Sequence, residues 1–235
     1  IGVILPLVFL SVCLFANLPP HIVALQSQLD STTGVERIKL LSKIGNAISP
    51  YDFEASQKYL EESIEMATSI AGLSKYERLN YIRKNEAFRS YGYLYDYNFY
   101  EAFKGSLVLD SLGRLFANAP DSLRKVQWLT NISANTLRNA VFMNQKLYHQ
   151  AQRELESSVE SCEKLTGKDS AKLGSVYSNL GINLMLQRKY DESESAMLKA
   201  DSIYSEIDSE MNLAYCKMFQ TDLYIRSAKW KKSFE

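Results

Sequence analysis

The chain has 235 residues, enough for one or two ordinary domains or for one elongated array. Its 27 basic residues are balanced by 27 acidic residues, which argues against a broad basic face for nucleic acid and a polybasic membrane-binding surface. A content of 46% hydrophobic and 23% charged residues indicates a globular chain, and three Cys with two His exclude a zinc framework and a disulfide-rich scaffold.

An uncharged apolar stretch, IGVILPLVFLSVCLFANL, opens the chain, and the first charged residue is Asp30. The stretch is typical of a secretory signal, with possible cleavage after Ala16 or Ala24. Two alternatives remain open: an uncleaved membrane anchor, and a lipoprotein signal that ends at Cys13. We therefore expect residues 1–25 to be a signal peptide or membrane anchor, apparently truncated, and the protein to be exported and periplasmic or membrane-associated.

Export implies an oxidising compartment, where paired cysteines commonly form disulfides. The remaining chain contains only Cys162 and Cys216, which fall in non-adjacent predicted helices. We therefore expect two free, buried thiols and no bridge.

The clearest helical pattern lies between residues 172 and 207. Its first half has apolar and small residues at helical spacing, ending near Leu184, and its second half does the same from Ser193 to Tyr204. Asp191 and Glu194 resemble a capping box at the start of the second helix. Small residues, including Gly181 and Ala200, would let the two helices of a hairpin approach closely.

The same plan recurs upstream and downstream, with a small residue near the start of each second helix. These marker residues are Ser56, Ala102, Ala151, Ser193 and Ser233, at separations of 46, 49, 42 and 40 residues. The copy at Ala151 is expected to stop at Gly167, and the copy at Ser56 at Gly72. The pattern predicts that residues 26–235 form four repeats of antiparallel helix hairpins plus the start of a fifth.

The unit around Tyr177 resembles the tetratricopeptide repeat. The matching residues at family spacing are Tyr177, Leu180, Gly181, Leu184, Tyr190, Ser193, Met197 and Ala200. The other units match less well and are longer than the family's unit of about 34 residues. The resemblance, over residues 36–235, implies an all-α fold, an α-α superhelix or solenoid, that acts as a protein-interaction scaffold.

A narrower resemblance joins the apolar leader to repeats of about forty residues. In this respect the chain is similar to exported repeat proteins of the Bacteroidetes, in many of which the array is the sensory half of a histidine kinase or membrane-bound regulator. This resemblance implies an extracytoplasmic sensory or ligand-binding part of a signalling protein. The alternative is a stand-alone exported or lipid-anchored scaffold in envelope assembly or nutrient uptake.

Motifs for catalysis are absent from the sequence. There is no Gly-rich phosphate loop and no nucleophile elbow, and His149 has no second His or Cys at ligand spacing. Carboxylates cluster at predicted helix starts, where the helix dipole favours them. We therefore expect a non-enzymatic protein with no catalytic residue, no metal site and no cofactor.

Residues 91–100, YGYLYDYNFY, contain aromatic residues that alternate along the end of a predicted first helix and the following turn. Some of these rings must pack between repeats, while others could bind a ligand. In the family, partners often lie in the concave groove lined by first helices. On that basis the candidate groove residues are Tyr91, Leu94, Tyr95, Ala140, Met143, Ile182 and Met185. The expected partner is a protein or peptide and not a nucleic acid, with membrane association possible through the leader or a missing C-terminal part.

Overall fold

A row of antiparallel helix hairpins makes up the protein, as seen in a computed structural model that describes residues 18–165 and 167–228. Within those residues there are ten α-helices and no strand. The helices are α1 (Pro20–Gln26), α2 (Gly34–Ile48), α3 (Phe53–Ser69), α4 (Lys75–Tyr95), α5 (Phe99–Phe116), α6 (Arg124–Asn144), α7 (Tyr148–Cys162), α8 (Ala171–Leu186), α9 (Tyr190–Glu206) and α10 (Glu210–Arg226).

Each helix packs on its neighbours in the chain, which confirms the predicted all-α solenoid. The hairpins are α2 with α3, α4 with α5, α6 with α7, and α8 with α9, and α10 packs on α9 after them. The short helix α1 packs against α2 and buries Ile22 completely. In each hairpin we call the earlier helix the first helix and the later one the second helix.

The predicted apolar stripes are buried as expected. In α5, for example, Ala102 and Leu109 have no exposed surface, because their helical spacing places them on one face. Three predicted boundaries are wrong. The α3 helix ends at Ser69 instead of continuing to Gly72. The α9 helix begins at Tyr190 with Lys189 as its N-cap, one residue before the proposed capping box, and α7 ends at Cys162 instead of continuing to Gly167.

Small residues hold the helices of two hairpins in close contact. Ser56 Oγ of α3 donates a hydrogen bond of 2.8 Å to the carbonyl oxygen of Gly45 in α2. Ser193 Oγ of α9 donates one of 2.7 Å to the carbonyl oxygen of Gly181 in α8. A Cβ atom at Gly45 would lie 2.7 Å from Leu60 Cγ, and one at Gly181 would lie 2.5 Å from Met197 Cγ, so the glycines permit this close approach of the helices.

The hydrophobic core runs along the array and is shared between hairpins. One cluster joins α4 and α5 to α6 through Leu109 and Leu137. A second joins α6 and α7 to α8 through Leu155 and Val176, and a third joins α8 and α9 to α10 around Met197. Neighbouring hairpins are therefore needed to complete each other's core.

Polar side chains also connect successive helices inside the array. Ser63 Oγ in α3 donates to the Ile38 carbonyl oxygen of α2 at 3.0 Å and accepts from Asn85 Nδ2 of α4 at 2.8 Å. Further along, Arg138 of α6 pairs with Asp110 of α5 at 2.6 Å and with Glu154 of α7 at 2.8 Å. These contacts fix the rotation of the first helices relative to their neighbours.

Several sequence predictions fall on residues that the structure does not describe. Most of the predicted export segment lies within residues 1–17, and the fifth marker, Ser233, lies within 229–235. Among the described residues, Cys162 and Cys216 are free and buried, which confirms the prediction of two unpaired thiols.

Substitution of Gly181 tests the helix contact in the fourth hairpin. A Cβ atom at Gly181 would lie 2.5 Å from Met197 Cγ, and Met197 is completely buried. We expect Gly181→Leu to lower the free energy of unfolding, since overpacking costs about 1–3 kcal/mol. The gain in helix propensity, at most about 1 kcal/mol, does not offset that cost. Urea or thermal unfolding of the purified variant measures the difference.

Two further substitutions serve as comparisons for Gly181→Leu. Ala200→Leu, at another fully buried position of α9, should also destabilise the array. Glu192→Leu, at an exposed position in the first turn of α9, should change stability little. A Gly181→Leu protein that unfolds at or above the parent temperature would show that the α8–α9 contact is described wrongly.

The two buried thiols should be unreactive in the folded protein. Burial raises the pKa of Cys162 to about 12 and that of Cys216 to about 11, whereas the pKa of a free thiol is about 8.5. In a Cys13→Ser background, we expect negligible reaction with a disulfide reagent at about pH 8 until guanidinium unfolds the chain. Two thiols that titrate rapidly in the native protein would contradict their placement in the core.

Candidate functional site: the face formed by the first helices

Successive first helices lie closer to one another than successive second helices do. Helix α4 contacts both α2 and α6, and α8 contacts α10, whereas α3–α5, α5–α7 and α7–α9 are further apart among the described residues. The backbones of α6 and α8 are also further apart, but side chains join these two helices, as where Asn183 Nδ2 of α8 donates to Met143 of α6 at 2.9 Å. In a curved array, the elements that approach each other lie on the inner side. The first helices therefore form the inner side of the array.

A repeated turn gives residues of different first helices equivalent positions. The turns of the α4–α5, α6–α7 and α8–α9 hairpins each have one residue with a left-handed backbone, Tyr97 (φ 58°), Lys146 (φ 60°) or Arg188 (φ 63°), and the second helix begins two residues later. The sequence-predicted groove residues fall at the same distances before this residue. Six residues before it lie Tyr91, Ala140 and Ile182, and three residues before it lie Leu94, Met143 and Met185.

Tyr91 and Leu94 pack between repeats. Both contact the cluster that contains Leu109 and Leu137. The Tyr91 hydroxyl also forms a hydrogen bond with Thr136 of α6, and burial raises the pKa of Tyr91 to about 12. These two residues set the spacing between α4 and α6.

The candidates on α6 and α8 are also largely enclosed. Met185 is 4% exposed and belongs to the core, and Ile182 packs against that core. Met143 accepts a hydrogen bond from Asn183 Nδ2 at 2.9 Å, and Ala140 is partly buried. Of the seven candidates, Tyr95 alone is widely exposed, at 77%. Ligand contact by these residues remains a prediction.

The structure adds residues that sequence reasoning missed. Thirteen residues before the left-handed residue of each turn lie Lys84, Ser133, Ser175 and Tyr215, taking Ala228 (φ 58°) for the last turn. This row and the row of Tyr91, Ala140 and Ile182 are one helical face, since they are seven residues apart. We call these two rows, with Tyr95 and Phe88, the first-helix face. Aligning the turns, instead of the marker residues, would have found the second row.

Side-chain size varies along the first-helix face. On α6 it has the small side chains of Ser133 and Ala140, and on α8 it has the small Ser175 beside the larger, partly buried Ile182. Large exposed side chains stand on the flanking helices: Phe88 and Tyr95 on α4, and Tyr215 with its neighbours Met211 and Met218 on α10. We call the part of the face with small side chains, at Ser133, Ala140 and Ser175, the floor. The large exposed side chains of α4 and α10 form an apolar side at each end of this floor.

The described residues hold neither a metal-ligand cluster nor a membrane-spanning helix. Residues 18–165 and 167–228 contain no group of three or more His, Cys, Asp or Glu side chains placed to hold a metal ion. Over the same residues, no helix combines the length and apolar character needed to cross a membrane.

Comparison with known proteins gives a fold and no family. No family model matches the sequence, and no curated protein matches it significantly. BtubC (BKLC) from P. vanneervenii has a similar structure, with a TM-score of 0.70, 14% identity, and coverage of 93% of this chain and 87% of that chain.

A Rap protein crystallised with Competence and Sporulation Factor is also similar, with a TM-score of 0.66 and 13% identity. The match covers 91% of this chain but 55% of the Rap chain, so this chain spans about half of that neighbour's length. At these identities the likeness shows the fold alone, which is a helical-repeat solenoid.

Replacing Tyr91 with Phe tests the junction between α4 and α6. At neutral pH we expect Tyr91→Phe to destabilise the protein by about 1 kcal/mol, because the hydrogen bond to Thr136 is lost. The pKa of Tyr in an unfolded chain is about 10, whereas the pKa of Tyr91 in the folded protein is about 12. The stabilisation from the buried neutral phenol is therefore complete below about pH 10 and is lost as the pH rises through about 12.

Urea unfolding at neutral and alkaline pH measures both effects. The variant has no phenol at this position, so its disadvantage should shrink as the pH rises. Tyr95→Phe, at the exposed end of the same helix, is the matched control and should equal the parent at every pH. A Tyr91→Phe protein that loses stability with pH as steeply as the parent would rule out a buried, neutral Tyr91.

Proposed function

We propose that the array binds an extended segment of a protein or peptide along the first-helix face and performs no catalysis. The observation that carries this proposal is the exposure of large apolar side chains at both sides of that face. Tyr95 is 77% exposed, Met211 is 70% exposed and Tyr215 is 54% exposed. Tyr and Met are residue types that commonly dominate binding surfaces.

The small residues between the two sides support the same proposal. Ser133, Ala140 and Ser175 leave room above α6 and α8 for a backbone to approach. The Ser175 hydroxyl can pair with a peptide group, and the Ser133 hydroxyl, which donates to the Leu129 carbonyl oxygen at 2.9 Å, can still accept from a peptide N–H. A segment that crosses this floor would contact aromatic rings at each end. The Rap neighbour, which was solved with Competence and Sporulation Factor, provides an example of this fold with a bound factor.

The balanced charge of the chain argues against nucleic acid as the partner, because neutralising phosphates requires an excess of Lys and Arg. A role as the extracytoplasmic, ligand-sensing part of a signalling protein, as in the exported Bacteroidetes repeat proteins, rests on the apolar segment within residues 1–25. That segment is also the basis for periplasmic location or membrane association. The second candidate, a stand-alone exported scaffold, rests on the same segment, and fractionation of cells that express the full-length protein tests export for both.

A displayed library of random peptides of about twelve residues provides the probe for binding. Peptides selected on the parent are tested against a double variant of the floor, Ser133→Arg with Ser175→Arg. The matched control, Ser157→Arg with Ser195→Arg, places the same two changes at exposed positions of α7 and α9. We expect a loss of about tenfold or more in affinity for the floor variant and less than about twofold for the control.

A second variant keeps the test informative if the double variant of the floor misfolds. Tyr95→Ala removes a mostly exposed side chain, so it should leave thermal unfolding unchanged and still weaken the selected peptides. Selected peptides that bind the parent, the floor variant and Tyr95→Ala equally would contradict the proposal. So would a library that yields no peptide specific for the folded parent.

A further inference from the structure

The short helix α1 is attached to both helices of the first hairpin. It packs against α2, and its Ile22 side chain has no exposed surface. At its last residue, Gln26 Nε2 donates a hydrogen bond of 3.0 Å to the Tyr59 hydroxyl of α3. Helix α1 is therefore part of the folded array and not an appendage to it.

The chain on either side of α1 is also held in place. Pro20 is the first residue of the helix, where its fixed backbone angle favours a helix start and its missing N–H costs nothing. The Ile22 backbone N–H donates to the Pro19 carbonyl oxygen at 2.8 Å. After the helix, Arg37 of α2 donates to the Leu29 carbonyl oxygen at 2.6 Å. These contacts fix where α1 begins and how it connects to α2.

Helix α1 has the properties of a cap on a repeat array. Among the described residues no hairpin precedes α2 and α3 to share their core, and α1 supplies part of that cover. Its His21 and Ala24 are exposed, as expected for the outer side of a terminal element. Loss of the fully buried Ile22 would leave apolar surface of α2 in water and destabilise the first hairpin.

The position of α1 distinguishes the two cleavage sites that the sequence allows. Cleavage after Ala24 would fall inside α1 and remove residues 20–24, which include Ile22. Cleavage after Ala16 would leave the whole helix on the mature chain. A leader is discarded after export, so a residue that the folded core needs has to lie on the retained side of the cut.

We propose that α1 is the N-terminal cap of the mature protein and that a signal peptidase of the exporting cell removes the apolar leader after Ala16. Water hydrolyses the peptide bond between Ala16 and Asn17, which leaves a carboxylate on Ala16 and a free α-amino group on Asn17. The mature chain then begins three residues before α1. The inference rests on the export that is part of the proposed function, because the peptidase acts on chains that enter the export pathway.

Mass spectrometry of the protein recovered from the exported fraction of cells that express the full-length chain tests the cleavage site. We expect the N-terminal residue to be Asn17. Ala16→Tyr should abolish this product, because the peptidase requires a small residue before the cut. The matched control, Ala24→Tyr at an exposed position of α1, should be processed like the parent. A mature protein that begins at Leu25 or Cys13, or that retains its leader, would overturn the proposal.

Hydrogen exchange of the purified protein tests the role of α1 as a cap. Ile22→Ala removes the buried side chain, and we expect the backbone amides of α2 to exchange about tenfold faster or more. The matched control is Val23→Ala, which shortens another β-branched residue of the same helix at a position that is 50% exposed. It should leave exchange in α2 within about twofold of the parent. Equal exchange in the two variants would show that α1 does not cap the array.

The outcome is distinguishable from failure of the proposed function. An exported protein that begins at Leu25 would refute the cleavage site and leave export standing. A full-length chain that stays in the cytoplasm with its leader attached would refute export and the cleavage together. Neither result changes the binding of library peptides to the first-helix face, which the floor variant and Tyr95→Ala test separately.

Discussion

The sharing of each apolar cluster between neighbouring hairpins is the constraint on which the rest of this structure depends. Two packed helices cover only part of each other's apolar stripes, so Leu137 of α6 turns towards α5 while Ile132 of the same helix faces α7 and α8. From α4 onwards, each described hairpin thus needs the next helix to complete its core. The array therefore grows in one direction, and its stability is a sum of local and nearest-neighbour terms.

This linear growth leaves the first helices on one side, where they can act together. The repeated turn with a left-handed residue, at Tyr97, Lys146 and Arg188, keeps equivalent positions aligned from one hairpin to the next. A non-Gly residue in this conformation costs about 1–2 kcal/mol, which the satisfied carbonyls at the helix ends help to offset. Because equivalent positions are aligned, residues on separate first helices form continuous rows.

Packing and binding make opposite demands on those rows. Tyr91 and Met185 are used to hold the helices together, so they offer little surface to a ligand. Tyr95 and Tyr215 contribute little to the core and remain exposed.

The sequence alone determined the helices, their pairing and the class of fold. Small residues such as Ser56 and Ser193 recur in the sequence because a small side chain is needed where two helices approach closely. That requirement involves the residues of one hairpin only. Free, buried thiols at Cys162 and Cys216 also followed from spacing alone. These features depend on residues within about forty positions of one another, which a periodic pattern records.

Only the tertiary structure decided which residues of the predicted groove are enclosed. Tyr91 and Tyr95 lie in the same aromatic run, and their different burial depends on whether α6 covers them. The contacts between neighbouring turns could not be predicted from the sequence for the same reason. Lys189 is likewise forty residues from His149 in the sequence, and only the packing of α8 against α7 brings these two residues to one surface.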